Sequence, residues 1–377
     1  MTSTLSAGIQ IALRFVNDPM ISTGQALTHT IMVCGIFILV NQPVQAQEYP
    51  LSDHYDGKRF FNPGHVGQKS FGDFVKVLKN RKKTPWPDWL ENTTSDKPPL
   101  RNTTGSIRLT YINHATVLIQ MHGYNFLTDP IWSERCSPVS FAGPKRHRAP
   151  GVQFQHLPPI HAILISHNHY DHLDLPTLHR LEKRDQPLIL AGLGTKSFLQ
   201  KEGFKNVVEL DWWQHHAFEQ DISLHFVPAQ HWSKRNFFGQ DDMLWGGFMI
   251  VSPKQKIFFA GDTGYGPHFK EIHRRFGKPD GALLPIGAYK PKWFMKNFHM
   301  GPEDAVRAFD DLGAPPSIAI HHGTFPLGSE GVHDATNDLE KIKSEKGSPL
   351  SSFHVLANGE TLKILPAVTP VFDGGSP

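Results

Sequence analysis

The chain has 377 residues, which at roughly 150 residues per domain allows one large or two ordinary domains. Apolar residues make up 39% and charged residues 19%, a balance that excludes both a polytopic membrane protein and a mostly disordered chain. With 38 Lys and Arg against 35 Asp and Glu the net charge is +3, too weak a field to make nucleic acid the expected partner.

The first feature in chain order is the apolar run Ile31 to Val40 (IMVCGIFILV). It falls far short of the ~20 residues that span a bilayer and suits the core of an export signal. Val44-Gln45-Ala46 then places small residues where a signal peptidase reads, so cleavage before Gln47 is expected. Arg14 is the only basic residue before the run, which leaves two alternatives open: an uncleaved anchor, or a start at Met20. Residues 1–46 thus read as a leader or membrane anchor, and the protein as exported or membrane-associated, in the periplasm or envelope of a bacterial cell. The two cysteines, Cys34 and Cys136, exclude a disulfide scaffold, and cleavage would leave Cys136 alone.

Residues 47–105 form a polar arm with scattered aromatics and prolines, in which one short helix is expected near Phe71 to Asn80. The basic triplet Arg81, Lys82, Lys83 reads as a solvated surface.

After Gly105 short β-branched strands alternate with helical stretches. Strands are expected at Ile107 to Tyr111, Thr116 to Met121, Tyr124 to Asp129, Ala162 to Ser166, Leu188 to Ala191, Asn206 to Glu209 and Ile222 to Val227. Further strands follow at Gly247 to Val251, Ile257 to Ala260, Gly281 to Leu284, Ser317 to Ile320 and Phe353 to Leu356. Helices are expected at Pro176 to Arg184, Gly194 to Glu202, His268 to Phe276 and Pro302 to Leu312. The last has Pro at its first position and Glu303 and Asp304 in its first turn, where the helix dipole favours negative charge. The pattern implies a mixed α/β catalytic domain over 106–365, followed by a short tail, 366–377.

Histidine is abundant, with 23 residues, and imidazole is the commonest metal ligand. The densest group is Ser166-His167-Asn168-His169-Tyr170-Asp171-His172, directly after the apolar stretch AILIS. Alternation in an extended loop sends His167 and His169 to one side, so both can meet one ion. Asp171 and His172 lie past a bend and can meet another. Further ligands should come from other strand ends. His231 follows ISLHFV, Asp262 follows IFFA between Gly261 and Gly264, and His321 follows SIAI. The two glycines let the backbone turn tightly beside an ion. Any one of these residues alone reads as an ordinary loop residue; their joint placement after apolar strands points to metal chemistry.

His-x-His-x-Asp-His, a distant His, an Asp in a Gly-Asp-Thr turn and a final His together resemble the metallo-β-lactamase superfamily. Within it the chain is most similar to the N-acylphosphatidylethanolamine-hydrolysing phospholipase D family. The segments that carry this include Asn113-His114-Ala115-Thr116, Leu127-Thr128-Asp129-Pro130, Gly143-Pro144-Lys145-Arg146, Ile165 through Asp174, Glu209-Leu210-Asp211-Trp212-Trp213, Gln230-His231-Trp232, Phe259 through Tyr265, Pro285 through Tyr289, Trp293 through Lys296 and Ala319-Ile320-His321. The resemblance covers about residues 106–360 and implies an αβ/βα four-layer sandwich. It implies two Zn²⁺ ions, one on His167, His169 and His231, the other on Asp171, His172 and His321, with Asp262 bridging. His322 stands beside His321, where animal members carry Trp, so either of the pair could supply the ligand. His299 matches a family histidine near the bound phosphate, beside Asn297 and Phe298, which depart from the pattern.

The activity so implied is hydrolysis of a phospholipid phosphodiester, N-acylphosphatidylethanolamine yielding phosphatidic acid and an N-acylethanolamine. Two metals would activate water and offset charge growing on the phosphate. Asp171 and His299 are the candidate catalytic residues, His299 as hydrogen-bond or proton donor at the leaving oxygen. Phe237, Phe238, Trp245, Trp293, Phe294, Met295 and Phe298 offer either an acyl-chain route or plain core. Lys145, Arg146 and Arg148 offer either headgroup contacts or a solvated face. Peripheral membrane contact and a homodimer are expected as partners, and no nucleic acid. The alternatives are another hydrolase on the same scaffold, namely a lactonase, β-lactamase or nuclease, or a metal-binding protein without turnover.

Overall fold

The hairpin that opens the folded domain shows how local sequence sets the architecture. Strands β1 (Ile107–Asn113), β2 (Thr116–Met121) and β3 (Tyr124–Thr128) pair antiparallel. His122 and Gly123, both at positive φ, close β2 onto β3 in the two-residue turn whose twist matches that of paired strands. From β3 onward the pairing becomes parallel through β4 (Ala162–Leu164), β5 (Leu188–Gly192) and β6 (Val207–Leu210). Parallel neighbours need crossovers; residues 129–161 carry the chain from β3 to β4, and helices α1 (Leu175–Asp185) and α2 (Thr195–Lys201) supply the next two.

The computed structural model describes residues 49–366 apart from 67–71, 73–75, 77–83, 95–96, 220 and 236–238. The expected leader, the basic triplet at 81–83, most of the helix expected over 71–80, Phe237, Phe238 and residues 367–377 of the tail lie outside the described residues.

The second half builds another sheet from β7 (His215–Ala217), β8 (Ser223–Val227), β9 (Gly247–Val251), β10 (Lys256–Phe259), β11 (Gly281–Pro285), β12 (Ser317–Ile320) and β13 (Phe353–His354). Helices α3 (His268–Phe276), α4 (Lys292–Met295), α5 (Pro302–Asp311) and α6 (Asp334–Lys346) intervene. Strand β14 (Thr361–Ile364) returns to pair with β1. The result is two seven-stranded sheets, ordered β14-β1-β2-β3-β4-β5-β6 and β13-β12-β11-β10-β9-β8-β7.

Alternation of side chains along each strand sorts the apolar residues into three layers. Leu109, Val117, Phe126 and Leu164 of the first sheet meet Phe226, Phe248, Phe259 and Ile320 of the second in a buried central layer. Leu118, Leu127, Ile163 and Ile189 face Leu178, Leu181 and Leu199 of α1 and α2. Met249, Phe258, Leu284 and Ala319 face Phe269, Phe309 and Leu339 of α3, α5 and α6. Helix, sheet, sheet, helix is the αβ/βα sandwich expected from the sequence.

Four elements were not anticipated. Strands β7 and β14 are three and four residues long and lie at sheet edges, too short to carry a period. Helix α4 has four residues, and α6 buries only Ala335 and Leu339, so its apolar stripe is thin. Strand β6 also begins one residue later than expected, and β13 stops two residues sooner. Among the described residues no helix is long and apolar enough to cross a membrane.

The arm packs on the sandwich. Tyr55 and Phe60 are buried in the central layer, and the His54 ring stacks on Trp212 with centroids 4.2 Å apart while Nε2 bonds Asp211 at 2.7 Å.

Candidate metal centre

Strands of both sheets end at one edge of the sandwich, where loops can converge without breaking a ladder. Asp129 follows β3, the 166–172 loop follows β4, His231 follows β8, Asp262 follows β10 and His321 follows β12 directly. Three of the residues involved, His114, Asp129 and His321, have positive φ. For a non-glycine residue this costs roughly 1–3 kcal/mol and persists only where the surroundings enforce it. Gly261 also has positive φ, and a Cβ there would lie 2.6 Å from Ser166 Cβ, so only glycine fits. Gly264 is needed for a different reason than the turn expected of it. Its φ is ordinary, but a Cβ would lie 2.6 Å from the Asn297 carbonyl group.

The structure brings the anticipated residues together in two sets. His167, His169 and His231 form one: His169 Nδ1 lies 2.7 Å from His167 Nε2 and 3.3 Å from His231 Nε2. Asp171, His172 and His321 form the other, joined by His114. Asp171 Oδ2 is 3.2 Å from His172 Nε2 and 3.4 Å from His321 Nε2. Asp262 lies between the sets. Its Oδ2 is 3.0 Å from His321 Nε2, 3.2 Å from His172 Nε2 and 3.9 Å from His231 Nε2. His299 joins from the far side, with Nδ1 3.6 Å from the same oxygen. His322 turns away and stacks on Tyr111 with centroids 5.4 Å apart, so His321 is the member of the pair that faces the centre.

A web of hydrogen bonds behind these rings selects their tautomers. A carboxylate only accepts, so Asp129 Oδ2 takes the Nδ1–H of His172 at 2.6 Å and the Ser166 hydroxyl hydrogen at 2.6 Å. The Ser166 oxygen then accepts Nδ1–H of His167 at 2.9 Å. One buried carboxylate thereby turns the Nε2 lone pairs of two rings, one from each set, toward the centre. His231 donates Nδ1–H to the Phe298 carbonyl at 2.8 Å, and His114 donates Nε2–H to Asp171 Oδ2 at 2.8 Å.

Burial and charge divide the rings. Burial pushes His167 and His231 well below the usual imidazole range, with neighbouring rings adding to the effect, and takes His169 to about 4. These three are neutral donors with free lone pairs. Burial also opposes charge on His172 and His321, but Asp262 and Asp171 outweigh it, raising His321 to about 9 and His172 well above its usual range. The carboxylates of Asp171 and Asp262 are disfavoured by burial, yet the adjacent imidazoles hold them well below their ordinary range.

The donor set fits divalent metal. Asp262 Oδ1 is a buried atom with no hydrogen-bond partner, and a buried polar atom left so costs about 1–3 kcal/mol. Imidazole nitrogens converging at 2.7–3.3 Å also need a cation or proton between their lone pairs.

The structure decides between alternatives that the sequence left open and overturns one reading, that of Arg146. Trp245 does not line an acyl route: it is fully buried, with Nε1–H shared between the Ala229 carbonyl and Asn62. Phe298 is also buried and contributes its carbonyl to His231. Arg146 is buried and caps the carbonyls of Ser133, Ile131 and Arg148, so it neither binds headgroups nor forms a solvated face. Lys145 pairs with Glu134 at 2.8 Å on the surface. The roles of His114 and Asp129 went unread, although both lie in the segments that carry the family resemblance.

Comparisons with known proteins bear on the family and the fold. The family described as "Beta-lactamase superfamily domain" matches residues 124–322. A Caenorhabditis elegans protein named N-acyl-phosphatidylethanolamine-hydrolyzing phospholipase D 1 is 36% identical over 262 residues, covering 63% of this chain and 74% of its own. A Saccharomyces cerevisiae protein named N-acyl-phosphatidylethanolamine-hydrolyzing phospholipase D, mitochondrial, is 34% identical over 262 residues, covering 68% of this chain and 54% of its own. The chain thus spans about half of that yeast relative. The crystal structure of a possible metal-dependent hydrolase from Veillonella parvula superposes with a TM-score of 0.56 at 19% identity, covering 68% of this chain and 99% of that one, and shares the fold. With two His/Asp clusters at the strand ends and these relatives, the chain belongs to the metallo-β-lactamase superfamily of metal-dependent hydrolases, in the family of N-acylphosphatidylethanolamine-hydrolysing phospholipases D.

Proposed function

We propose that this protein is a dinuclear zinc phosphodiesterase that cleaves N-acylphosphatidylethanolamine into phosphatidic acid and an N-acylethanolamine. The observation that carries the dinuclear reading is the position of Asp262 Oδ2, within 3.0–3.9 Å of imidazoles from both donor sets. Mixed imidazole and carboxylate donors suit zinc. The substrate class is supported by the nematode and yeast relatives, whose printed names state that activity.

When bound, two zinc ions supply Lewis acidity that brings water ionisation toward neutral pH and offsets negative charge on the reacting phosphate. The protein's own residues hold that arrangement. His167, His169 and His231 would hold one ion, Asp171, His172 and His321 the other, and Asp262 both. His114 keeps Asp171 in one rotamer, and Asp129 with Ser166 keeps His167 and His172 in one tautomer. In hydrolysis, water oxygen bonds to phosphorus, the bond from phosphorus to the ethanolamine oxygen breaks, and that oxygen takes up a proton. His299, partly buried beside Asp262 and taken to about 3 chiefly by loss of solvent, is neutral and offers an N–H hydrogen bond to a phosphate or leaving oxygen. The exposed Trp293 with Lys292 and Lys296 nearby, and the exposed Phe141, support contact with a phospholipid surface.

Elemental analysis of the purified protein combined with mass spectrometry of lipid products tests the reading. Two zinc per chain and formation of phosphatidic acid are expected. A protein that hydrolyses a lactone, lactam or RNA in preference to the phospholipid would overturn it.

A further inference from the structure

The expected arm contributes directly to the metal centre through Asn62, which precedes the matched family region and touches no reacting atom. Its carboxamide lies across the backbone of His231. Nδ2–H donates to the His231 carbonyl at 2.8 Å, and Oδ1 accepts the His231 N–H at 3.1 Å. The side chain thus acts as a one-residue strand partner for a ligand-bearing residue that lies outside any strand. Its remaining capacity is also used. Oδ1 accepts Trp245 Nε1–H at 3.2 Å, and Nδ2 donates to the Val66 carbonyl at 3.1 Å. An amide offers two donors and two acceptor sites, and here all four are engaged in a buried position. Asp lacks the two donors and Leu lacks everything, so no other residue of this size meets the same partners.

The segment that carries Asn62 is itself fastened. Phe60 N–H bonds the Asp241 carbonyl at 2.8 Å, Phe61 N–H bonds the His54 carbonyl at 2.9 Å, and Tyr55 and Phe60 are buried in the central layer. The His231 ring is oriented separately by the Phe298 carbonyl. Asn62 therefore sets where the His231 backbone lies, and Phe298 sets how its ring turns.

We propose that Asn62 is a positioning residue for the metal centre, and that the arm thereby completes the His167, His169, His231 donor set. The inference rests on the metal reading above and is independent of the substrate. Groups behind a metal ligand typically change metal affinity 10–100-fold when lost.

The test uses the full chain as wild type, Asn62→Leu, the smaller change Asn62→Ser, and Phe309→Ala. The last removes buried apolar surface from the helix layer of the second sheet, outside the arm. Zinc affinity is measured by competition with a chromophoric chelator below each variant's melting temperature, together with the visible absorption bands of the Co²⁺-substituted protein. Both Asn62 variants should weaken one of two metal equivalents about 10–100-fold and change the cobalt bands, with the other equivalent held as before. Phe309→Ala should lower the melting temperature and leave affinities and bands unchanged. Wild-type affinity and bands in both Asn62 variants would overturn the inference. So would Phe309→Ala weakening the same equivalent as much. A wild-type chain that takes up no metal would instead overturn the metal reading beneath it.

Discussion

Replacing Asp129 with Asn keeps the shape of the site and reverses the two hydrogen bonds that reach Oδ2. Asp129 is fully buried, and its carboxylate accepts three hydrogen bonds. The Ser166 N–H reaches Oδ1 at 2.7 Å, and the Ser166 hydroxyl and His172 Nδ1–H each reach Oδ2 at 2.6 Å. In Asn the oxygen must stay opposite the Ser166 N–H, which places the amide NH₂ against His172. That ring can then only accept at Nδ1, so its proton moves to Nε2. Nε2 is the atom 3.2 Å from both Asp171 and Asp262, where a metal needs a lone pair. The loss expected is about 10–100-fold in metal affinity, or about 1.4–2.8 kcal/mol. Asn matches the Asp129 side chain in size, so the variant opens no cavity. Its melting temperature should stay within a few degrees of wild type. Chelator competition and metal-free thermal melting measure the two effects separately. If Asp129→Asn binds metal as tightly as wild type, the tautomer argument fails.

Asp171→Ala removes a carboxylate shared by His114, His172 and His321, and turnover should fall at least ~100-fold while circular dichroism shows the fold retained; unchanged turnover would remove Asp171 from the site. Phe309→Ala empties a fully buried place beside Phe353, with ring centroids 5.5 Å apart, and should cost about 3–5 kcal/mol in denaturant unfolding. His54 supplies a pH dependence away from the centre. Burial opposes its charge, but hydrogen bonds to Asp211 and Asp53 outweigh burial and raise it above 6.5. The stabilisation is therefore full below pH 6.5 and is lost as pH rises through the elevated folded value. The melting-temperature gap between wild type and His54→Gln should be widest on the acid side of that window and close above it; a gap that widens with rising pH contradicts the assignment.

How much was legible depended on how far apart the cooperating residues lie. The 166–172 loop announces itself because side-chain alternation acts between neighbours, and His167 and His169 share a side in any extended conformation. His231, Asp262 and His321 were legible one step less directly, as polar residues placed where apolar strands end. His114 and Asp129 gave no such signal. Each looks like an ordinary hairpin or turn residue until Asp171 and His172, 57 and 43 positions away, come into contact with it. Asn62 is more remote still, 169 positions from His231, in an arm whose polar composition concealed that Tyr55 and Phe60 are buried.

Strand periodicity and the ligand-bearing loops were therefore determined by the amino-acid sequence itself, because covalent spacing and alternation act over a few residues. Tertiary structure decided which tautomer each ring adopts, which of His321 and His322 faces the centre, that Arg146 is buried, and that the arm reaches His231. Those properties belong to hydrogen bonds and ring contacts between segments that only the closed sandwich brings together.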